Sequence, residues 1–395
     1  MTQINGKKLI QMEYSYKKMN ILITGGAGFI GSSLAMALTA KNHTVTVLDN
    51  LSEQIHGINA EVTSELYNKI KDKVHFVKGD VRNEADWLKV LPGQDVVVHL
   101  AAETGTGQSM YQIKHYTDVN INGTSILLDL LANNNFSVKK VVVASSRAIY
   151  GEGKYYSKSN GFVFPNGRKR DNLTNGLFEI YSEDSSELLK PVATDEDSTI
   201  HPTSVYGITK QVQEELIMTV CPSINIAAVS FRYQNVYGPG QSLKNPYTGI
   251  LSIFSNLIKH NQSINIFEDG LESRDFVYID DVVNATVAGI ELENANNQVF
   301  NVGMGIPTTV IDVATSLMIG YNKKVPLNIS GDFRIGDIRH NYADISKLKK
   351  LLDFTPSVTF DEGIKKFTDW VNVQEFEMIN YDRSLMEMKS KGLMK

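Results

Sequence analysis

The stretch Asn20-Ile21-Leu22-Ile23-Thr24-Gly25-Gly26-Ala27-Gly28-Phe29-Ile30-Gly31 decides the fold. An apolar run that reads as a buried strand passes straight into a GxxGxxG turn, and the periodicity from Ile30 to Thr39 predicts the helix that follows. Glycines in that position permit a tight turn and close backbone approach, so a pyrophosphate can rest on the helix N-terminus. Asp49 ends the next apolar run, close to the spacing at which a carboxylate accepts hydrogen bonds from an adenosine ribose. A carboxylate there repels a 2'-phosphate, so the pattern favours NAD over NADP. Asp80, in Gly79-Asp80-Val81 after the third run, is a candidate for the adenine edge and equally a plain turn residue.

Working outward, Val- and Ile-rich runs recur at Asn20 to Thr24, Thr44 to Leu48, Val74 to Val77, Asp95 to Leu100, Lys140 to Ala144 and Ile224 to Phe231. Amphipathic stretches separate them, clearest at Gly123 to Ala132 and Ser204 to Val220. Continuous apolar strands alternating with helices predict an α/β fold, a doubly wound parallel Rossmann sheet. The expected division is an N-terminal extension over 1–18, an NAD-binding domain over 19–237, a smaller mixed α/β substrate lobe over 238–370 and a tail over 371–395. Within the first domain, about 152–200 is polar and breaks the alternation, which predicts a lid or a local excrescence.

Composition narrows the function classes. The chain has 395 residues, 42% of them hydrophobic and 21% charged, as expected of a soluble globular protein. A net charge of -5 gives no basic field for nucleic acid or for an anionic membrane. The single cysteine, Cys221, excludes an internal disulfide and an all-Cys zinc site, and cytoplasm is the default compartment. No His, Asp or Glu cluster has metal spacing, so no metal is expected. The uncharged run from Asn20 to Ala40 imitates a targeting segment, but four glycines interrupt its apolar core.

Tyr206 stands four residues ahead of Lys210 on a predicted helix, where the two share a face. An ammonium beside a phenol favours its ionised form, and such a Tyr can take a hydroxyl proton while a nicotinamide takes the hydride from the same carbon. The pattern is cheap, since Tyr14/Lys18, Tyr67/Lys71 and Tyr150/Lys154 also match it. Context has to select among them.

Taken in order, a series of motifs resembles the extended short-chain dehydrogenase/reductase family, and within it the nucleotide-sugar epimerases and dehydratases, from about Met19 to about Trp370. They are the glycine turn, Asp49-Asn50-Leu51, His99-Leu100-Ala101-Ala102, Asn120 before Gly123-Thr124, Ser145-Ser146 before Tyr150-Gly151, Tyr206 with Lys210, and Arg274-Asp275-Phe276. The resemblance implies Tyr206 as base, Lys210 as its electrostatic partner and ribose anchor, Ser146 as the hydroxyl on the reacting oxygen, and Asn120 as a support for Lys210 through water. It implies cofactor contacts from Gly25, Gly28, Phe29, Ile30, Gly31, Asp49, Asn50, Asp80, Val81, Leu100, Ala101 and Ala102. For the substrate it implies Asn235, Arg274 and Arg334 on the phosphates, and Thr104, Thr106, Gln108, Ser146 and Arg147 nearer the sugar.

Dehydratases that resemble this chain carry Asp-Glu directly after the reacting hydroxyl residue; here Arg147 and Ala148 stand there, and neither is a carboxylate. What remains is reversible oxidation without elimination: epimerisation at C4 with retained NAD, or net dehydrogenation. The runs Glu103 to Met110, Ser146 to Gly153 and Gln234 to Ile250 are similar to a bacterial branch acting on dTDP-L-rhamnose, with a UDP-hexose and a dTDP-6-deoxyhexose 4-dehydrogenation as alternatives. Some of that branch carry CxxC in the insertion, where this chain has Ser182 and Ser185. A catalytically idle NAD-binding sensor is the non-enzyme alternative. The resemblance also implies a homodimer through the two helices, although their apolar stripes could equally pack within one chain.

Overall fold

Seven parallel strands form the centre of the computed structural model, which describes residues 18–182, 184–243, 249–374, 386–387 and 389–394. They are β1 (Asn20–Thr24), β2 (Thr44–Asp49), β3 (His75–Lys78), β4 (Val96–His99), β5 (Lys140–Ser146), β6 (Ala227–Tyr233) and β7 (Gln298–Val302). Their order across the sheet is β7-β6-β5-β4-β1-β2-β3, so the chain reverses direction of winding between β1 and β4. Alternation along each strand splits the side chains between two cores. Ile21 and Ile23 face one with Val45 and Val47, while Leu22 faces the other with Leu48 and Val97.

Helix α1 (Phe29–Ala40) covers the first face, and α2 (Gly123–Asn133) and α3 (Val205–Ser223) cover the second. Helix α4 (Ile279–Glu291) joins α1 on the first face. The start of β5 is tied to the end of α4 by Lys140, whose Nζ donates to the carbonyls of Gly289, Ile290 and Leu292 at 3.1, 2.9 and 3.0 Å. A cation at a helix C-terminus satisfies carbonyls that have no partner inside the helix.

The boundary expected at 238 does not divide the layers. β7 returns to the main sheet beside β6, so 279–302 belongs to it structurally, although the sequence there shows no long apolar run. The smaller lobe is built from Asn235–Tyr237, Ser273–Tyr278, Pro307–Thr309 and His340–Asn341 in one sheet, and from Ile264–Ile266 paired with Leu327–Ile329. The extension over 1–17, the motif residues Asn245 to Thr248 and most of the tail lie outside the described residues. The tail expected from 371 begins inside a helix, Phe360–Asn372, opened by a reciprocal Thr359/Glu362 cap.

The insertion is no free lid. Tyr155–Ser157, Gly161–Val163 and Lys190–Pro191 form a small antiparallel sheet over Tyr155, Ile180 and Leu189. At the turn carrying Ser182 and Ser185, Ser182 N donates to Glu187 O at 2.7 Å, and the Glu187 carboxylate accepts from Ser157 Oγ and Lys158 N. Two arginines clamp this unit to the smaller lobe. Arg168 pairs with Glu268 at 2.6 Å and donates to Asp337 O, while wholly buried Arg339 pairs with Glu179 at 2.6 Å, Asp269 at 2.7 Å and Glu268 at 3.1 Å. Removing Arg339 strips several charged hydrogen bonds from half-exposed Glu179 and Asp269 and from buried Glu268, which keeps Arg168, at a cost of about 1–3 kcal/mol. Arg339→Met is therefore expected to lower the unfolding free energy measured in urea by that much and to open 152–200 to limited proteolysis; an unchanged free energy and cleavage pattern would contradict the clamp.

Candidate active site

The site lies where the winding reverses, at the C-terminal ends of β1 and β4, the crevice in which open α/β sheets bind their ligands. Gly25 adopts φ +67° and a Cβ there would stand 2.8 Å from Ala101 N; a Cβ on Gly31 would stand 2.3 Å from Gly25 O. The turn therefore packs as close as backbone allows. Gly28 caps α1 without a side chain, and no acidic residue sits in the first turn, so the helix end offers Phe29, Ile30 and Gly31 amides and a positive dipole. That cradle fits a dinucleotide pyrophosphate.

Asp49 serves the turn as well as any ribose. Its Oδ2 accepts from Ala27 N and its Oδ1 from Leu51 N, both at 2.9 Å, and burial pushes its pKa up against those bonds and nearby His56. Each oxygen retains acceptor capacity for a ribose hydroxyl. Asp80 is held by Arg82 and Asn50, with Arg82 keeping its carboxyl down at about 2. Val81 is buried, and its carbonyl accepts from Trp87 Nε1 at 2.7 Å.

Ser146 ends β5, and Tyr206 and Lys210 open α3, whose N-cap Ser204 accepts from Gly207 N. Residues 152–200 do not separate them, because His201 N donates to Ile149 O at 2.8 Å and returns the chain to its point of departure. Gly151, at φ +59°, makes this possible: a Cβ would stand 2.2 Å from His201 O. The Tyr206 hydroxyl lies beside the Ser146 hydroxyl, near enough for it to favour the phenolate. Burial raises the phenol pKa, while that hydroxyl and the positive charge of Arg147 pull it down. Tyr150/Lys154 separates from this group: Tyr150 donates to Asn301 Oδ1 and Lys154 pairs with Asp195.

Lys210 is buried, and burial pushes its amine down to about 7. Its Nζ donates to Gln213 Oε1 at 2.7 Å, and Gln213 Nε2 donates to Thr124 Oγ1 at 2.9 Å. Thr124 gives its only hydroxyl proton to Asn120 O at 2.6 Å, so His99 Nε2, 3.0 Å away, must be the donor to Thr124. His99 Nδ1 then accepts from Thr24 Oγ1 at 2.8 Å, and Thr24 Oγ1 accepts from Ala101 N. Burial holds His99 neutral, at about 3. Two donor arms, one from Lys210 through Gln213 and one from Thr24 at the end of β1 through His99, thus converge on Thr124, which donates to Asn120 O. Gln213 and both threonines were missed by sequence reasoning; the three-residue spacing of Lys210 and Gln213 on one helix was the only local signal.

Asn120 braces the helix that carries Lys210. It lies in a π-helical turn, Thr117–Asn122, and donates to Thr209 Oγ1 at 2.9 Å while exchanging bonds with the Glu103 backbone. This bond holds Thr209, the neighbour of Lys210, in place. Such turns recur at functional sites because they bend one helix locally.

A cleft lies between the lobes, walled by Thr106, Met110, Arg147, Ala148, Arg334, Ile335 and Asp337 among others. Arg147 Nε donates to Asn235 Oδ1 at 2.6 Å, and burial next to Arg274 pushes its pKa down to about 9. Arg334 pairs with Asp337 at 3.3 Å. Arg274 is turned away from the wall: its guanidinium donates to the carbonyls of Ser273, Ile338 and Arg339 and to Asp337 Oδ1. It shapes the 337–339 loop. Gln108 is likewise engaged, with Gln54 and Tyr116, whereas Thr104 and Thr106 are exposed. Among the described residues Glu268, Asp269 and Glu272 are near enough to share a cation, and Arg339 already supplies one.

The profile of the NAD dependent epimerase/dehydratase family matches residues 21–163 and 174–303. The chain is similar to a dTDP-L-rhamnose 4-epimerase of Burkholderia thailandensis, 36% identical over 362 residues that span 91% of this chain and 96% of that one. It is also similar to a putative UDP-glucose 4-epimerase of Methanocaldococcus jannaschii, 31% identical over 89% of this chain and 98% of that one. Among solved structures, a UDP-glucuronic acid 4-epimerase from Bacillus cereus in complex with UDP-glucuronic acid and NAD superposes with a TM-score of 0.71 at 27% identity, covering 90% and 99% of the two chains. No described helix is long and apolar enough to cross a membrane.

Because the folded pKa of Lys210 lies at about 7, below the unfolded value of about 10.4, the folded state binds fewer protons between those limits. The destabilisation is complete below pH 7 and fades as pH rises through that window. The urea midpoint of the cofactor-free protein, measured relative to Lys210→Met, should therefore climb from pH 7 to pH 10. A flat difference would contradict the buried amine.

Proposed function

Since this chain belongs to the NAD-dependent epimerase/dehydratase family and is an NAD-dependent enzyme of the nucleotide-sugar type, we propose that it is a 4-epimerase working by transient oxidation at C4, with dTDP-L-rhamnose as substrate. The observation that carries the mechanism is the placement of the Ser146 hydroxyl beside Tyr206, with Lys210 one helical turn further on. The glycine turn and the first turn of α1 would hold NAD, which would supply a hydride acceptor at C4 and return the hydride to it. Tyr206 accepts the C4 hydroxyl proton, and Ser146 holds the same oxygen by a hydrogen bond that persists as the carbon becomes a ketone. The charge of Arg147 favours the phenolate, and Lys210 takes up the ribose. A half-turn of the keto sugar presents its other face, and Tyr206 returns the proton.

Arg147 and Ala148 favour epimerisation over elimination, since no carboxylate follows Ser146. Arg147, Asn235 and Arg334 provide fixed cations and an amide for the diphosphate, where a planar guanidinium fork meets oxygens in pairs. Arg274 supports them through the 337–339 loop. The similarity to the Burkholderia enzyme supports the dTDP-L-rhamnose reading, and the similarity to UDP-sugar epimerases supports a UDP-hexose as the second. A homodimer through α2 and α3 accords with exposed Ile113 and Ile208 near that face, 53% and 47% accessible.

The test is incubation with a panel of dTDP- and UDP-sugars without added cofactor, resolving products by NMR at the C4 proton. The 4-epimer of dTDP-L-rhamnose is expected, and stoichiometric formation of NADH when NAD is added would instead indicate net dehydrogenation. Tyr206→Phe should lower kcat by ~10²–10⁴-fold while NAD stays bound. Unchanged turnover in that variant would remove the mechanism.

A further inference from the structure

The segment 389–394 runs along the mouth of the cleft. Ile335 N donates to Leu393 O at 3.1 Å, Arg334 and Met394 form an antiparallel bridge, and Met394 is buried there. Lys389 pairs with Asp332 at 3.3 Å on the same side. Across the cleft, Lys391 Nζ sits 4.8 Å above the ring of Tyr111, directly after the loop that supplies Thr106 and Met110 to the opposite wall. Gly392, at φ +69°, turns the chain between these anchors. Leu393 is itself part of the cleft wall, together with Met110, Ala148 and Ile335.

We propose that 389–394 is a strap over the bound nucleotide sugar and that Leu393 is a substrate-contacting wall residue. The segment ties the 332–335 loop, which carries Arg334, to the 106–111 loop of the other lobe, so one short piece of chain sets how far the cleft opens. Among the described residues its anchors are two exposed cations, the Ile335–Leu393 backbone bond within the Arg334–Met394 bridge, and the buried Met394 side chain. Such a strap can release and reseal, and the apolar face it offers near Ala148 lies beside Ser146, where the sugar reacts. A leucine there excludes water from that end of the cleft, and its contact with the sugar contributes to binding. This inference rests on the cleft being the nucleotide-sugar site.

Two variants test it: a chain ending at Glu387, and Leu393→Asp in the full chain. In both, KM for the nucleotide sugar that the wild-type chain turns over should rise by ~10-fold or more. Thermal unfolding of the NAD-loaded protein should stay close to wild type, because the strap adds little to either core. Unchanged KM in both variants, with normal wild-type turnover, overturns the strap alone. No wild-type turnover of any nucleotide sugar removes the functional reading and the strap together. A KM rise accompanied by a large drop in melting temperature in both variants also counts against it, since the segment would then be a structural prop.

Discussion

Everything at the candidate site depends on how the chain closes between Ile149 and His201. Residues 152–200 leave after the reacting serine and must come back before the reacting tyrosine, and an open loop of that length would let the two hydroxyls drift apart. One backbone hydrogen bond, His201 N to Ile149 O, and one glycine without room for a Cβ bring the ends together. The excursion is then pinned at its far side by Arg168 and Arg339. Closure of the long loop is entropically costly, and the buried ion pairs and small hydrophobic cluster offset that cost. What looks like an insertion into the fold is therefore the element that joins the lobe carrying Ser146 to the lobe carrying Arg334 and Asp337.

Within the closed site, the electrostatics divide between two cations. Lys210 is buried against the neutral oxygen of Gln213, and its amine is weakened by desolvation. Arg147 is the cation whose charge acts on Tyr206, and it is held by Asn235. A phenol in such surroundings is protonated at rest and becomes a base only when a partner stabilises the phenolate. The two arms through Gln213, Thr124, neutral His99 and Thr24 fix the direction in which Lys210 can point and tie it to the end of β1, from which the glycine turn emerges. A network of buried polar groups is rigid because rotating any one of them would leave a matched donor or acceptor unpaired.

The parts legible in sequence were those whose physics is local. The GxxGxxG turn declares itself by a strand before it and a helix after it, and Tyr206/Lys210 by helical spacing once the other three look-alikes are weighed by position. Asp49 was legible as an acid at a strand end, but its hold on Ala27 N depends on how β1 and β2 pair. β7 was not legible, because a short edge strand with mixed polarity has no distinctive period. The network was not legible either: Thr24, His99, Thr124 and Gln213 come from four elements and meet only when the sheet is assembled. Arg274 stood at the expected position yet faces the 337–339 loop, a choice made by neighbouring carbonyls that no motif reports. Leu393 lies in a stretch that reads as a surface tail, and only the pairing of Arg334 with Met394 brings it to the cleft.

The most direct test of transient oxidation at C4 uses dTDP-L-rhamnose carrying deuterium at that carbon, incubated in ordinary water with the protein and no added cofactor. The hydrogen that leaves C4 should return to it from within the same closed site, so the epimeric product keeps its deuterium at C4. Loss of the label to solvent, with a proton from water at C4 of the product, would contradict the account.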